Sequence, residues 1–564
     1  MKNQKWCFGY DYEIDVAFFD PRIQKDECGV LRMYRNKGAE LRIKSFDNFV
    51  YSHASQHIQK IVCRSESREF VLISCDTMNQ QIFAEYVIIG ETRYNSISKC
   101  YFVISGLANW VNNRFDFQEN CDMFVKKLPK ERLKAEFSFG DKKYLVESKY
   151  CSNASSDDKG NLNFTDWLEL KISSTPETNI EISEVAILCE NFVNFFSLLL
   201  LTPLAIKSVE ISDDDKLSSL FFYSKSNRED SGESRIKYFS KIEYFKEHSR
   251  FEESINKYFK LANNKNSSNA ANIIPFRLES DSPFYKEFTD WVSYLDSVCD
   301  VNAVSYRKKI RDSELKKIRY ILYAALDGSP ELEKVPNVVR DSLNSQIAHL
   351  KGCDLVTFAD KFSVLVEGLP SQVAKIINLT KTQFLFLKKF RDHVAHGKNP
   401  PLKNPGNILF EELLLNKIKV LVVFLAYKEI GVPFEIFCKF LKSTFTGRSF
   451  IDVRGLNQME LGKVVGDPVF ETDKKSLEEN TLLNRGAVFE FDRQNGIYSL
   501  NRDQSKKLRT YLHDNFLHHN LYDSFIEKNL EDTVAKFVSE AYFYCEEEYR
   551  IVRSLIVYES SLNE

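Results

Sequence analysis

The sequence has no uninterrupted apolar run of the roughly 20 residues that a membrane helix requires. Its most apolar stretch, Phe192 to Ile206, is broken by Asn194, Thr202 and Pro203, and Leu413 to Tyr427 is broken by Asn416, Lys417 and Lys419. The opening Met1-Lys-Asn-Gln-Lys-Trp-Cys lacks the basic, apolar and small-residue succession of a secretory signal. A cytoplasmic chain with no membrane partner is the expectation. Closely spaced cysteine pairs are also missing: twelve cysteines are scattered singly, from Cys7 to Cys545. That argues against zinc ribbons and fingers, whose ligands come in pairs. A reducing compartment disfavours disulfides, so buried free thiols are expected. No G-x-x-x-x-G-K-[ST] loop occurs, which removes the usual basis for NTP hydrolysis. Nor is there an excess of one charge. With a formal net charge of −3, any polyanion binding must come from local patches.

What is present is an ordinary globular composition spread over 564 residues, more than one hydrophobic core normally serves. The first 215 or so residues read as mainly β. Glu40-Leu-Arg-Ile-Lys-Ser, Phe70-Val-Leu-Ile-Ser-Cys, Tyr101-Phe-Val-Ile-Ser and Trp167-Leu-Glu-Leu-Lys-Ile are short, rich in β-branched or aromatic residues, and separated by turn-forming clusters. Cys151 to Asn163 reads as a loop or hairpin tip, and Ser183 to Leu201 as a helix beside the sheet. Residues 216–280 form a connecting region with a polar loop at Tyr223 to Glu233 and a linker at Asn263 to Asn272. Between 281 and 445, apolar residues recur at three- and four-residue spacing in Lys286 to Val298, Ser313 to Leu326, Asp354 to Glu367, Lys381 to Ala395 and Leu409 to Ile430. This predicts an all-α bundle. Residues 446–564 form a mixed α/β extension: a hairpin at Val488 to Leu500 around Asn495-Gly496, then helices at Gln504 to Phe516 and Leu530 to Val557. A winged-helix-like module is one reading of that order. The fold class expected is α+β, and no internal repeat stands out.

The chemistry concentrates in Phe390-Arg-Asp-His-Val-Ala-His-Gly397. Gly397 followed by Asn399-Pro400-Pro401 stops the helix that begins at Lys381, placing Arg391, Asp392, His393 and His396 in its last turns. Five helical residues rotate by about 140°, so Arg391 and His396 do not share a face. A helix end facing a second copy would gather both motifs into one cleft. Cleaving RNA without a metal needs a base for the ribose 2′-hydroxyl, a cation for the phosphorane and an acid for the leaving 5′-oxygen. Histidine suits the proton transfers, and arginine presents a planar fork to phosphate oxygens. Asp392 would orient either side chain. Of the nine histidines, only His396 has an arginine five to seven positions upstream. The charge around it is basic: Lys381, Lys388, Lys389, Arg391, Lys398 and Lys403 stand against Asp392 alone. A second run, Arg307 to Arg319, holds seven cations against Asp312 and Glu314, and together the two would form a phosphate-tracking surface. The bland alternative for each run is a solvated helix face. Lys388, Lys389, His393 and Lys398 are the RNA-binding candidates beside the catalytic set Arg391, Asp392 and His396.

At these residues the sequence resembles the HEPN superfamily, and within it the ApeA-like group, whose mark is Arg-Asn/Asp followed closely by histidine at a helix end. The resemblance extends upstream through Gly29-Val-Leu, Leu41-Arg-Ile, Gly90-Glu-Thr-Arg-Tyr, Tyr101-Phe-Val-Ile, Leu107-Ala-Asn-Trp110 and Phe195-Phe-Ser-Leu-Leu-Leu-Leu-Thr-Pro-Leu, covering roughly Gly9 to Ile430. It implies a metal-independent endoribonuclease without cofactors, acting as a homodimer on RNA such as tRNA or mRNA. It also implies bacterial anti-phage defence, often by abortive infection, with an N-terminal domain that senses a phage component or restrains the nuclease. Two departures stand out. The dipeptide is Arg-Asp where Arg-Asn is common, and His393 lies inside the motif.

Three competitors come from the same letters. Asp166-Trp-Leu-Glu169-Leu-Lys171 resembles a metal-dependent nuclease strand, although alternation on a half-exposed strand writes the same pattern. His513, His518 and His519 suggest metal ligands but lack supporting carboxylates or cysteines. The third is a catalytically inactive HEPN module that binds nucleic acid, nucleotide or a protein partner, since a fold does not establish a function.

Overall fold

The computed structural model describes residues 8, 10–34, 38–44, 56–66, 68–90, 97–111, 117–120, 123–126, 133–156, 162–174, 179–213, 216–222, 238–264, 269–278, 283–303, 312–350, 358–396, 409–443, 455–479, 486–515, 520–530 and 533–560. The chain separates into two compact units. The first comprises 1–266, 270–281 and 423–564, and the second 267–269 and 282–422.

In the first unit, six strands close an antiparallel barrel. They are β1 (Tyr12–Asp20), β2 (Lys25–Tyr34), β3 (Gly38–Ile43), β4 (His57–Arg64), β5 (Glu69–Met78) and β6 (Gln81–Ile89), joined in the cycle β6-β3-β2-β1-β4-β5-β6. Period-two burial drives the closure: Leu31, Leu41 and Ile82 lie in register across β2, β3 and β6, all fully buried. Gly29 is demanded by its neighbours, because a Cβ there would sit 2.8 Å from the Arg42 carbonyl oxygen and 2.9 Å from the Leu41 side chain. Gly90 adopts φ +136°, and a Cβ on it would lie 2.6 Å from Ser218 Oγ. Both glycines belong to the motifs singled out above.

From β6 the sheet continues through β7 (Lys99–Ile104), β10 (Lys134–Phe139), β11 (Lys142–Ser156), β12 (Leu162–Ser174), β13 (Ile206–Asp213) and β14 (Lys216–Phe222), in the order β6-β14-β13-β7-β12-β11-β10. β8 (Phe117–Asn120) and β9 (Met123–Lys126) pair separately. The expected hairpin tip at 151–163 is mostly strand; β11 runs to Ser156 and β12 starts at Leu162, and both are paired throughout. Helix α1 (Leu107–Val111) buries Trp110, whose Nε1 donates to the Ser240 carbonyl at 3.0 Å. Helix α2 (Ile182–Leu200) packs on the sheet extension, with α3 (Ile242–Phe245) and α4 (His248–Ala262) nearby. Phe137, Phe192 and Phe259 join sheet, α2 and α4 in one aromatic core, with ring centroids 4.6–5.3 Å apart. By length and composition α2 could cross a membrane, yet its most apolar window is 61% buried, as in a core helix. It ends where Leu201 takes a left-handed conformation and Pro203 prevents continuation. Tyr427 Oη donates to the Leu199 carbonyl at 2.6 Å, tying chain after 423 to this domain. The polar loop expected at 223–233 lies outside the described residues.

The C-terminal segment of this unit holds a second, mixed sheet, β15-β18-β19-β16-β17, built from β15 (Val469–Glu471), β16 (Val488–Asp492), β17 (Ile497–Leu500), β18 (Thr533–Cys545) and β19 (Glu548–Ser560). The expected hairpin is β16–β17, turning at Gly496 with φ +69°. The helix expected over Leu530 to Val557 is instead the long hairpin β18–β19. Its β-branched and aromatic residues alternate about every second position, which suits a sheet with cores on both faces. A winged helix is therefore replaced by a five-stranded sheet.

Every described element of the second unit is helical. Numbering continues after α5 (Ala270–Ile273): α6 (Phe284–Ala303), α7 (Asp312–Asp327), α8 (Asn337–Ala348), α9 (Phe358–Glu367), α10 (Ser371–Ile377), α11 (Lys381–Ala395) and the part of α12 (Leu409–Glu429) up to Val422, with α13 (Phe434–Ser443), α14 (Gln458–Val465) and α15 (Lys474–Glu479) following in the first unit. The mainly-β, then helical, then mixed order makes the chain α+β, as its patterning predicts. Among the described cysteines, Cys63, Cys75, Cys100, Cys189, Cys299 and Cys438 are buried free thiols, whereas Cys28 is exposed.

Candidate functional site

Helix α11 starts at a capping box. Gln383 N–H donates to Thr380 Oγ1 at 3.3 Å, and Gln383 Oε1 accepts from Thr380 N–H at 3.1 Å. The buried Lys417 ammonium donates to Gln383 Oε1 at 2.9 Å and to the Asn378 carbonyl at 2.6 Å, and its burial pushes its pKa down. The apolar stripe of α11 is buried at Leu387 and Phe390, with Phe390 edge-on to Phe288 of α6 at 4.6 Å. Each such ring contributes about 1.5–3 kcal/mol by leaving water. This packing fixes the rotation of α11 and aims the next turn's polar residues.

Arg391 is half-buried and firmly held. Its Nε and one terminal nitrogen donate to Asp296 Oδ2 at 3.0 and 2.9 Å, and its other terminal nitrogen donates to Asp392 Oδ1 at 3.3 Å. Partial burial works against the charge, but the bonds and charge of Asp296, then of Asp392, outweigh it, so the guanidinium pKa rises above its ordinary value. Asp296 is itself enclosed. Its Oδ1 is buried without a hydrogen bond, 4.0 Å from Lys361 of α9, which pairs directly with Asp300 one turn further along α6. The resulting chain, Asp392–Arg391–Asp296–Lys361–Asp300, holds the arginine in one orientation with one nitrogen turned toward the more exposed carboxylate.

His396 is the C-cap residue of α11. Its backbone N–H reaches the Asp392 carbonyl at 3.2 Å, its side chain is exposed, and its imidazole has no hydrogen bond or ion pair among the described residues. Arg391 and His396 occupy the same helix end without touching. Lys389 is exposed, Lys388 and His393 are half-buried, and Lys398 lies outside the described residues. Of the second basic run, Arg307, Lys308, Lys309 and Arg311 lie outside them too, whereas Lys316, Lys317 and Arg319 lie on α7, the first two exposed.

Asp296, Asp300 and Lys361 were not anticipated from sequence. A signal exists for the first: Asp296 falls four residues after the buried Val292 and three before the buried Cys299, an acid on the edge of an otherwise apolar stripe. Naming its partner required the packing of α6 against α11. The competing letters have local explanations. Lys171 pairs with Glu147 across β11 and β12 at 3.3 Å, Asp166 accepts from Ser152 Oγ at 2.6 Å, and His513 sits 3.2 Å from Asp514. His518 and His519 lie outside the described residues. Among the described residues no cluster of three His, Cys, Asp or Glu side chains is arranged to hold a metal ion.

The family model described as ApeA N-terminal domain 1 matches residues 15–261, from the first barrel strand to the end of α4. The span includes Gly29, Gly90 and Trp110 and stops before the helical unit that carries Arg391. No curated protein and no solved structure matches the chain.

Proposed function

From the premise that this is an ApeA-like chain, we propose that it is an anti-phage defence protein whose helical unit is a HEPN-type, metal-independent endoribonuclease acting in abortive infection. The observation that supports this best is the clamped Arg391 beside an unengaged His396 at one helix end. A substrate phosphate would take the place of Asp392 at the terminal nitrogen, where the existing contact is long and exposed, while Asp296 keeps the fork in place. His396 would accept the ribose 2′-hydroxyl proton as that oxygen attacks phosphorus. The 5′-oxygen would leave with a proton from the second motif of a homodimer, giving a 2′,3′-cyclic phosphate. Lys388, Lys389, His393 and Lys398 would contact neighbouring phosphates. The barrel domain would sense a phage component or restrain the nuclease.

One observation favours a module that only binds: Arg391 already has two carboxylate partners, as in a structural ion pair. The test is incubation of purified protein with tRNA and mRNA in EDTA, followed by 3′-end analysis. Cyclic phosphate ends, lost in Arg391→Ala and in His396→Ala with folding intact, are expected. Parental cleavage by either variant, or 3′-hydroxyl ends, would sink the proposal.

A further inference from the structure

Helices α16 (Arg502–Asp514) and α17 (Leu521–Asn529) lie against the C-terminal sheet and border a groove of about 380 Å³. Their placement is fixed from beneath. Leu508 and Phe525 are buried with Val488 and Ile556, and Ser505 Oγ accepts from Val488 N–H at 2.8 Å. The groove is lined by Lys506, Lys507, Thr510, Tyr511, Asn515 and Asn529, with Asp514 as its single carboxylate. Lys506 and Lys507 are exposed and have no ion-pair partner among the described residues. Lys528 adds a third ammonium, 5.5 Å above the Tyr511 ring. By contrast, Arg502 is spent on Glu479, and Asp514 has His513 beside it. Asp503, Asp523 and Glu527 are exposed on the same helices but do not line the groove.

The amide side chains define the ligand further. Asn515 Nδ2 donates to the Tyr511 carbonyl at 2.9 Å and Asn529 Nδ2 to the Phe525 carbonyl at 3.1 Å, which leaves both Oδ1 atoms as acceptors. Cations for phosphates beside acceptors for amino groups suit a nucleic acid better than a bare anion. An A-form duplex keeps the adenine and cytosine amino groups in a deep, narrow groove that side chains cannot read, whereas a single strand leaves them available. None of the exposed large apolar side chains among the described residues lies on α16 or α17, so the groove these helices border is cationic rather than apolar. The chain's net charge of −3 makes this cluster a local feature.

We infer that the groove between α16 and α17 is a docking site for single-stranded RNA, with Lys506, Lys507 and Lys528 on phosphates and the Asn515 and Asn529 carbonyls on base amino groups. It rests on the ribonuclease reading and adds to it a holding site on the C-terminal sheet. The test is fluorescence anisotropy of a labelled mixed-sequence 20-nucleotide RNA on full-length His396→Ala protein, titrated at several salt concentrations. Lys506→Glu/Lys507→Glu should weaken binding at least tenfold. Because each lost phosphate contact removes about 0.7 from the log–log salt slope of a single strand, Lys506→Gln/Lys507→Gln should flatten it by about 1.4. Duplex RNA of the same length should bind several-fold more weakly. Unchanged affinity and slope in the lysine variants would overturn the assignment. So would lysine-dependent binding to anionic phospholipid vesicles or to a polyglutamate peptide with no RNA binding. The two readings fail separately. Wild-type protein that binds RNA through these lysines but never cuts it keeps the groove and loses the nuclease. Wild-type protein that cuts RNA while the lysine variants bind and cut with unchanged KM keeps the nuclease and loses the groove.

Discussion

Arg391 sits between two carboxylates of different character, and this difference sets what each should do. Asp296 is more buried and engages two nitrogens; Asp392 is more exposed and engages one. Hydrogen bonds to charged groups are worth roughly 1.5–3 kcal/mol, so losing the Asp296 charge frees a fork that the proposed reaction needs in one orientation. Asp296 is a positioning residue in this scheme. Asp296→Asn should lower kcat for RNA cleavage by roughly tenfold to a hundredfold, the scale of small misplacements of a reacting group, with KM within a few-fold. Unchanged kcat in steady-state assays would show that the pair only stabilises the bundle. That Arg391 and His396 fall at the end of one helix was legible from the chain, because the glycine and prolines that stop the helix are local signals. Asp296 was not, since a single acid on an apolar stripe does not say which side chain it meets.

At the scale of elements, the long α12 ends on a carboxylate that should make stability depend on pH. Glu429 accepts from Ala271 N–H of the short α5 at 3.1 Å, yet burial dominates and pushes its pKa to about 7 despite the backbone bonds. The native state therefore holds a proton that an unfolded glutamate, at 4.5, has released. The stability this contributes is complete below the unfolded value and is lost as pH rises toward 7. At about 1.4 kcal/mol per pH unit, the loss is on the order of 3 kcal/mol. Urea unfolding at pH 5 and pH 8 should show this decline in the wild type and its disappearance in Glu429→Gln; equal declines would refute it. Elements with one strong period were readable in advance. α7 and α11 fall within a few residues of their expected limits because each has an apolar stripe and a glycine just past its end, and α12 does so because its long apolar run, buried nearly all round, stops at Gly431. The segment 530–557 was misread because its apolar residues are dense enough to satisfy a helical spacing as well as the alternation it obeys.

For the whole molecule, the proposal turns on Arg391 and His396, which share a helix end without meeting. If two copies complete the cleft with a base from one motif and an acid from the other, inactive His396→Ala protein added in excess and allowed to exchange subunits should lower wild-type RNA cleavage, because each mixed dimer holds one intact motif. Wild-type protein should run at about twice its 65.7 kDa in light scattering. A monomer with full activity, or wild-type cleavage undiminished after subunit exchange with the variant, would place the complete site within one chain. The sequence alone determined the α+β order, most of the long helices and the helix end on which Arg391 and His396 fall, because local periodicity and stop signals are written along the chain. Only the tertiary structure decided that the barrel closes on itself, that residues after 423 return to the first unit, that Asp296 clamps Arg391, and that α16 and α17 enclose a cationic groove. Those features depend on which distant surfaces pack together, a choice made by the summed burial of many residues.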